Sequence, residues 1–580
     1  MKRYNIVNNS LGWLCFAVAA VTYLLTLEPT ASFWDCPEFI AQGAKLEVGH
    51  PPGNPIFMLA ARFFVTCFGG GMDKAAIAVN SMSALLSAAT ILLLFWTITA
   101  LVKRIVMSDN DKEPSLSKMI VIMGAGLCGA LAYTWSDTFW FSAVEGEVYA
   151  FSSFCTALVF WLILKWENRA DEPHSDRYLV LIAYVIGVSI AVHLLNLLCI
   201  PAIVLVFYYR KAKKADVKGS LIALGVSFAI VAAILYGLVP GFIKVAQWFE
   251  LIFINELGMS YNTGVVIYAA VLLAVLAATT YLLYTEKDPK LTRLLILACL
   301  MLSGLTFATD SPAVWLVLIA AASAYLLVFC KKLPYRVMTV GVLSVMVIFI
   351  GYSSYALLLI RASANTPMNQ NAPDNVFSLS SYLNREQYGQ RPLFLGPVFA
   401  EALDIKQYKD AEGNAISYVA VDENGRPATR VEDGLLRNAY GTLVDNGRLT
   451  YSQVQKKSAD EPDRYVKETW APDYQSTPDL NMLFTRIYSS DGSHIEGYKG
   501  WSMYYNEDIE NLRKIVPPAT LQQWIEQGAA PLYEIAPYLS HLTTINTDTE
   551  GHPDGNVLVW KPTFADNMRY FLNYQLNHMY

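Results

Sequence analysis

Ten stretches of the chain stay apolar for close to the thickness of a bilayer: 12–27, 76–102, 119–138, 147–165, 178–209, 219–240, 264–284, 291–308, 313–330 and 335–360. A hydrocarbon core needs about 20 such residues per helix. The joints between them are short and differ in charge. Lys103/Arg104/Lys112/Lys118, Lys165/Arg169/Arg177, Arg210/Lys211/Lys213/Lys214/Lys218, Lys287/Lys290/Arg293 and Lys331/Lys332/Arg336 mark one set. The alternate joints are nearly free of bases: 135–146 has none, 241–263 has only Lys244 and 309–312 has none. Bases gather on the cytoplasmic side of multi-pass proteins. That rule holds here on one condition, because 178–209 has bases at both ends. It must cross an even number of times, as two short arms of about 24 Å each turning near His193–Pro201. The pattern predicts about eleven crossings, a cytoplasmic N-terminus, and everything after Arg361 outside. Lys2 and Arg3 ahead of the first stretch resemble a signal peptide, but no small-residue cleavage site follows, only Glu28-Pro29-Thr30. It reads as an uncleaved first span.

The first outer loop, 28–75, is long. Within it 56–67 places Ile56, Leu59, Ala60, Phe63, Phe64 and Cys67 on one helical face. It is too short to span and predicts an interfacial helix. From Ala362 the composition becomes that of a soluble domain. Asn424-Gly425 and Asn446-Gly447 beside strand-like runs are hairpin signals. Residues 506–527 read as one or two helices around Pro517-Pro518. Two domains follow: a membrane domain, 1–361, and a mixed α/β extracytoplasmic domain, 362–580. The last residues, Arg569–Tyr580, form an aromatic amphipathic stretch that reads as an interruption rather than an end. No internal repeat is visible.

Composition narrows the classes. Of 580 residues 54% are hydrophobic and 16% charged, against about 25% charged in soluble domains. Net charge is −6 with no dense basic tract, which gives no support for a nucleic-acid partner. All eight cysteines precede Lys331, so no disulfide holds the later domain. No CxxC or Cys/His cluster has metal-ligand spacing. There is no GxGxxG after a strand, no Walker pattern, no GxSxG and no HExxH.

The chemistry sits in the outer loops. Phe33-Trp34-Asp35-Cys36-Pro37-Glu38-Phe39 puts two carboxylates three residues apart, on one face of a helical turn. The flanking rings predict partial burial, which raises a carboxyl pKa, whereas a nearby cation lowers it. Such a pair suits general-base work; the plain alternative is a solvated loop. His50-Pro51-Pro52-Gly53 is a stiff turn that either brings His50 to the acids or merely reverses the chain. The second outer loop holds Asp137, Glu145 and Glu147 among Trp135, Phe139, Trp140, Phe141 and Tyr149. Rings alone mark a membrane belt, which leaves Glu145 and Glu147 unexplained. His193 and Asn196, at the outer turn of 178–209, are either functional polar groups at membrane depth or partners in a helix–helix hydrogen bond. Asp310 reads as a helix cap. Lys244 and Arg361 at span ends either meet a lipid phosphate or snorkel.

An acidic motif in the first outer loop, a following His-Pro-Pro, an interfacial helix and about eleven spans resemble the GT-C superfamily of polytopic glycosyltransferases. The closest look is to bacterial membrane proteins of unknown function grouped with protein O-mannosyltransferases. The resemblance covers roughly 1–375 through Phe33–Glu38, His50–Pro55, Glu145–Tyr149 and His193–Asn196. Many such relatives carry two adjacent acids where this chain has Asp35-Cys-Pro-Glu38. The resemblance implies inversion at a sugar's anomeric carbon, with a polyprenyl-phosphate sugar as donor and a protein or glycan acceptor. Asp35 would be the base, Glu38 its neighbour, and Lys45, Arg62, Lys244 and Arg361 the candidate phosphate cations. No cofactor is required, with room for a divalent cation. The implied place is a bacterial inner membrane, with the later domain periplasmic. A transporter or flippase of lipid-linked sugars, and a membrane-anchored scaffold or sensor, are the competing readings. The first would place its ionisable groups nearer the midplane.

Overall fold

The computed structural model describes residues 2–388 except 69–70, 109–112, 213, 308, 310 and 331. Beyond 388 it describes 394–402, 408–409, 415–417, 430–432, 435–438, 441–454, 456, 458, 461–476, 480–489, 491–502, 511, 514–517, 519–520, 523, 539–546 and 556–579. By contacts the chain divides into two units: Met1–Gln387 with Gln453–Tyr465, and Tyr388–Ser452 with Val466–Tyr580. The compositional change at 362 thus precedes the division by contacts.

The first unit is helical: α1 Lys2–Leu25, α2 Cys36–Lys45, α3 Pro55–Phe68, α4 Ala75–Val106, α5 Leu116–Thr134, α6 Asp137–Ala143, α7 Val148–Arg169, α8 Arg177–Ile190, α9 Ile200–Lys211, α10 Val217–Ala232, α11 Val239–Leu251, α12 Thr263–Thr285, α13 Pro289–Leu302, α14 Pro312–Ala324, α15 Tyr335–Tyr352, α16 Ala356–Ser363 and α17 Val376–Leu383. Among the described residues nine helices are long and apolar enough to cross a membrane, so the chain is a multi-pass membrane protein. The 178–209 segment does split into two arms, α8 and Leu194–Lys211, around a turn at 191–193. The 14-residue α8 is kept close to α15 by small residues. A Cβ on Gly187 would lie 2.7 Å from Ile348 Cα, and one on Gly351 2.5 Å from the Gly187 carbonyl carbon. Such close backbone approach favours helix association where water gives no hydrophobic drive.

The bases of alternate joints gather at one end of the bundle. Arg104 pairs with Glu167 at 2.6 Å, Lys211 with Asp171 at 3.3 Å, and Arg336 with Asp176. Both ends of the α8–α9 hairpin therefore lie at the same end, as an even number of crossings requires.

Two expected boundaries moved. The joint at 241–263 is mostly helix, because Val217–Glu256 runs on through Pro240. A wide π turn at Ala233–Leu238 precedes that proline and accommodates its missing N–H. The 291–308 stretch is the shorter α13 followed by a tight turn at Leu305–Phe307. Asp310 lies outside the described residues.

The second unit carries sparse strands. Leu395–Pro397 pairs antiparallel with Asn481–Leu483, and Asn556–Trp560 lies between Leu542–Asn546 and Glu401–Ala402. A four-stranded sheet runs Arg430–Glu432, Leu435–Asn438, Gly441–Gln453, Tyr465–Ser476. Asn446-Gly447 sits inside the strand Gly441–Gln453 rather than at a turn. Asn424-Gly425 and most of 506–527 lie outside the described residues. Phe399, Ile487, Tyr498 and Tyr570 form a small core.

Candidate functional site

The site begins at the start of α2. Asp35 is its N-cap, Pro37 occupies the first turn, where a missing N–H costs nothing, and Glu38 follows within that turn. The opposite face of α2 buries Cys36, Phe39, Ile40 and Ala44 against Phe57, Ala61 and Val65 of α3 and Val79 of α4. The 56–67 stretch is indeed a helix, α3. Burying one face of α2 aims the acid face outward.

Glu38 is held tightly. Its Oε1 accepts from His50 Nδ1 at 2.8 Å, from the His50 backbone N–H at 2.6 Å and from Gln42 Nε2 at 2.9 Å. Its Oε2 accepts from Gln370 Nε2 at 3.4 Å. Burial alone would raise the Glu38 carboxyl, but these donors outweigh it and hold the group below its ordinary value. His50 is raised in turn, first by the bond to Glu38, against burial and against Arg385. Its other nitrogen, Nε2, faces Asp35 Oδ2 at 3.9 Å. The Asp35 side chain is 58% exposed, so the flanking rings do not cover it: Trp34 is itself 87% exposed, with a left-handed φ of 61°.

The second loop supplies a different pair. Glu145 and Glu147 are 5% and 6% exposed. Glu147 caps the start of α7, accepting from the Val148 N–H at 3.3 Å. Burial, with Glu145 and Asp35 adding repulsion, pushes Glu147 up to about 7. Burial also raises Glu145, with Ser32 opposing; among the described residues its Oε2 has no hydrogen-bond partner. Asn80 of α4 fastens the first loop by donating to the carbonyls of Glu28 and Thr30 at 2.7 and 3.0 Å, and the Glu28 N–H joins it to the second by donating to Val144. Tyr149 stands 5.4 Å from the His193 ring. His193 accepts from the Leu195 N–H, and burial and then Arg385 lower its pKa. Asn196 is buried, accepts from Thr156 at 3.4 Å, and has no partner for Nδ2 among the described residues.

The sequence-derived cations are placed otherwise. Arg361 donates to Leu46 and Lys45 carbonyls at 2.6 and 3.2 Å, and Arg62 to the Ala44 carbonyl. Both thus hold the C-terminal end of α2, where orphan carbonyls and the helix dipole favour cations. Lys45 lies 4.0 Å from Glu47. Lys244 donates to Thr309 at 3.0 Å and lies over Trp315. The cation that acts on His50 and His193 is Arg385, just past α17. Tyr382 of α17 donates to the Gly49 carbonyl at 2.5 Å and to that of His50 at 3.1 Å, which brings Arg385 to the site. The segment before it straps the same turn: the Val48 N–H donates to Met368 and the Gln370 N–H to Val48. Nothing in the local pattern marks Arg385, because it lies beyond the last span. Among the described residues no group of three or more His, Cys, Asp or Glu is arranged to hold a metal.

Fold and site together define a multi-pass membrane protein in which the loops after α1 and α5 and the segment after α16 assemble carboxylates, imidazoles and a guanidinium at one end of the bundle. Residues 35–216 match the family described as Protein O-mannosyl-transferase TMEM260 N-terminal domain. Residues 436–572 match a family of unknown function (DUF8416). The chain is 26% identical to mouse "Protein O-mannosyl-transferase TMEM260" over 40% of its own length and 31% of that protein's. It is 24% identical to the Dictyostelium discoideum protein of the same description over 34% of its length and 22% of that protein's. These matches span a third or less of each relative. No solved structure matches. Residues 35–216 are accordingly similar to the protein O-mannosyl-transferases, the group that the loop motifs resemble. The matched segment starts at Asp35 and contains both acid pairs, His50, Tyr149, His193 and Asn196, but neither Lys244 nor Arg361.

Proposed function

We propose that the chain is an inverting membrane glycosyltransferase. It moves a sugar from a polyprenyl-phosphate donor to an extracytoplasmic acceptor, a protein Ser/Thr hydroxyl in the relatives' manner. The observation that carries this reading is the Asp35–His50–Glu38 arrangement beside two buried glutamates. Asp35 is the exposed member and takes the acceptor proton. Glu38, saturated by donors, fixes His50. The acceptor oxygen bonds to the anomeric carbon as the bond to the lipid phosphate breaks. The phosphate leaves as an anion and needs positive charge rather than a proton; Arg385 and a protonated His50 supply it. Glu145 and Glu147, with Tyr149 and His193, hold the sugar's hydroxyls. A cleft of about 460 Å³ beside Tyr149, walled by Leu94, Ile98, Phe160 and Leu195, suits the prenyl chain. The reading needs no resident cofactor; a divalent cation arriving with the donor phosphate would add charge at the same place.

In this reading the N-terminus is cytoplasmic, the later domain periplasmic and the membrane a bacterial inner membrane. Cysteines at Glu172 and Lys214 should label from the same side; labelling from opposite sides would put Asp35 and the later domain on different faces. Purified full-length protein should release polyprenyl phosphate from its sugar conjugate only when an acceptor peptide is present. Sugar-lipid movement across vesicles without release would favour a flippase instead.

A further inference from the structure

At the other end of α4 lies a second cleft that the acid site does not use. It has a volume of about 930 Å³ and opens between the first turns of α1 and the last turns of α4 and α7. Asn80, near the acid site, and Lys103, in the cleft, are 23 residues apart on α4, or about 35 Å. The cleft is therefore a membrane thickness away from Asp35.

Its lining is specific in charge and shape. Lys103, Arg104, Lys165 and Arg169 contribute four cations, and among the described residues no lining residue is acidic. Arg104 is paired with Glu167, and Arg169 donates to Tyr178 at 2.9 Å. The two ammonium groups are set over rings: Lys165 Nζ stands 4.8 Å above Trp161 and Lys103 Nζ 4.7 Å above Tyr4. Trp96 stacks on Trp161 at 5.8 Å and meets Trp13 edge-on at 6.4 Å.

We propose that this cleft binds the phosphate headgroup of an anionic membrane phospholipid. A phosphate takes the two ammonium groups among the aromatic rings of the lining. Lipid is favoured over a soluble anion by place. The walls are the ends of membrane-spanning helices, where headgroups lie, and Trp13 of the lining is exposed, as an interfacial ring is. Basic pockets between spanning helices are a general mode of headgroup recognition. This inference rests on the membrane fold alone, not on the transferase reading.

The test uses the full-length protein in a neutral detergent and follows bound lipid by native mass spectrometry. Phosphatidylglycerol should bind saturably, and phosphatidylcholine should not compete. Each lysine near a charged headgroup contributes about fivefold, so Lys103→Gln with Lys165→Gln should weaken phosphatidylglycerol about 30-fold. Lys287→Gln with Lys290→Gln removes equal charge elsewhere and should change it less than twofold. Should the first double variant misfold, the exposed Lys165→Gln alone should show about fivefold. Equal weakening by the control pair, equal binding of phosphatidylcholine, or displacement of the lipid by millimolar inorganic phosphate would each overturn the proposal.

Discussion

Two pairs of acids face the same site from neighbouring loops, and their surroundings drive them apart. Glu38 is half-buried yet held below its ordinary pKa, because His50 and Gln42 donate to it. Glu147 is buried beside another carboxyl, its own oxygen meeting a single N–H, and is pushed up to about 7. Burial by itself acts in the same direction on both. What differs is the count of donors, which decides whether burial or hydrogen bonding wins. One loop therefore presents fixed negative charge and the other a carboxyl close to half-protonated at neutral pH. Divergent carboxyls in one site mark divided labour.

Changing one pair at a time should break this division in a definite order. Asp35→Asn should cost the most, roughly 10² to 10⁴ in transfer rate, with donor binding retained. Arg385→Gln should come next, at about 10²-fold in kcat, with Arg385→Lys recovering part of it; unchanged kcat would remove Arg385 from the phosphate. Glu38→Gln should lower transfer about tenfold, by analogy with groups that orient a reacting residue. It should also lower the His50 pKa, readable by NMR titration, which a purely structural role for Glu38 in the turn would not predict.

The smallest effect is on stability. Glu147 is raised above the ordinary 4.5 to about 7. The native state therefore binds the proton more tightly than the unfolded chain. Its contribution is present below pH 4.5 and is lost as pH rises to about 7. His50, also raised, adds a loss of the same sign at higher pH, whereas depressed Glu38 contributes above 4.5 and loses that contribution under stronger acid. Glu147→Gln should remove the first of these losses. Melting curves from pH 4.5 to 8 should show the variant gaining on the parent by on the order of 2 kcal/mol. Parallel curves would show that Glu147 titrates normally.

The acid loop was legible because its parts are close in sequence. Asp35, Glu38 and His50 span 16 residues, and the start of α2 and the proline turn both have local signals. The α8–α9 hairpin was legible from bases at its two ends. Arg385, Gln370 and the Tyr382 contact were not, since each reaches the site across more than 300 residues. Arg62 and Arg361 mark the opposite limit. A cation beside apolar helical residues reads the same whether it meets a lipid phosphate or a helix's last carbonyls, and here both meet carbonyls. Trp34, expected to shield Asp35, turns outward on a left-handed backbone that no pattern of apolar residues signals.

The central claim is that Asp35, not Glu38, is the base. The most direct measurement is release of polyprenyl phosphate by purified full-length protein, comparing Asp35→Asn with Glu38→Gln under the same donor and acceptor. The account predicts near-complete loss for Asp35→Asn and about a tenth of parent activity for Glu38→Gln. An active Asp35→Asn beside an inactive Glu38→Gln would contradict it.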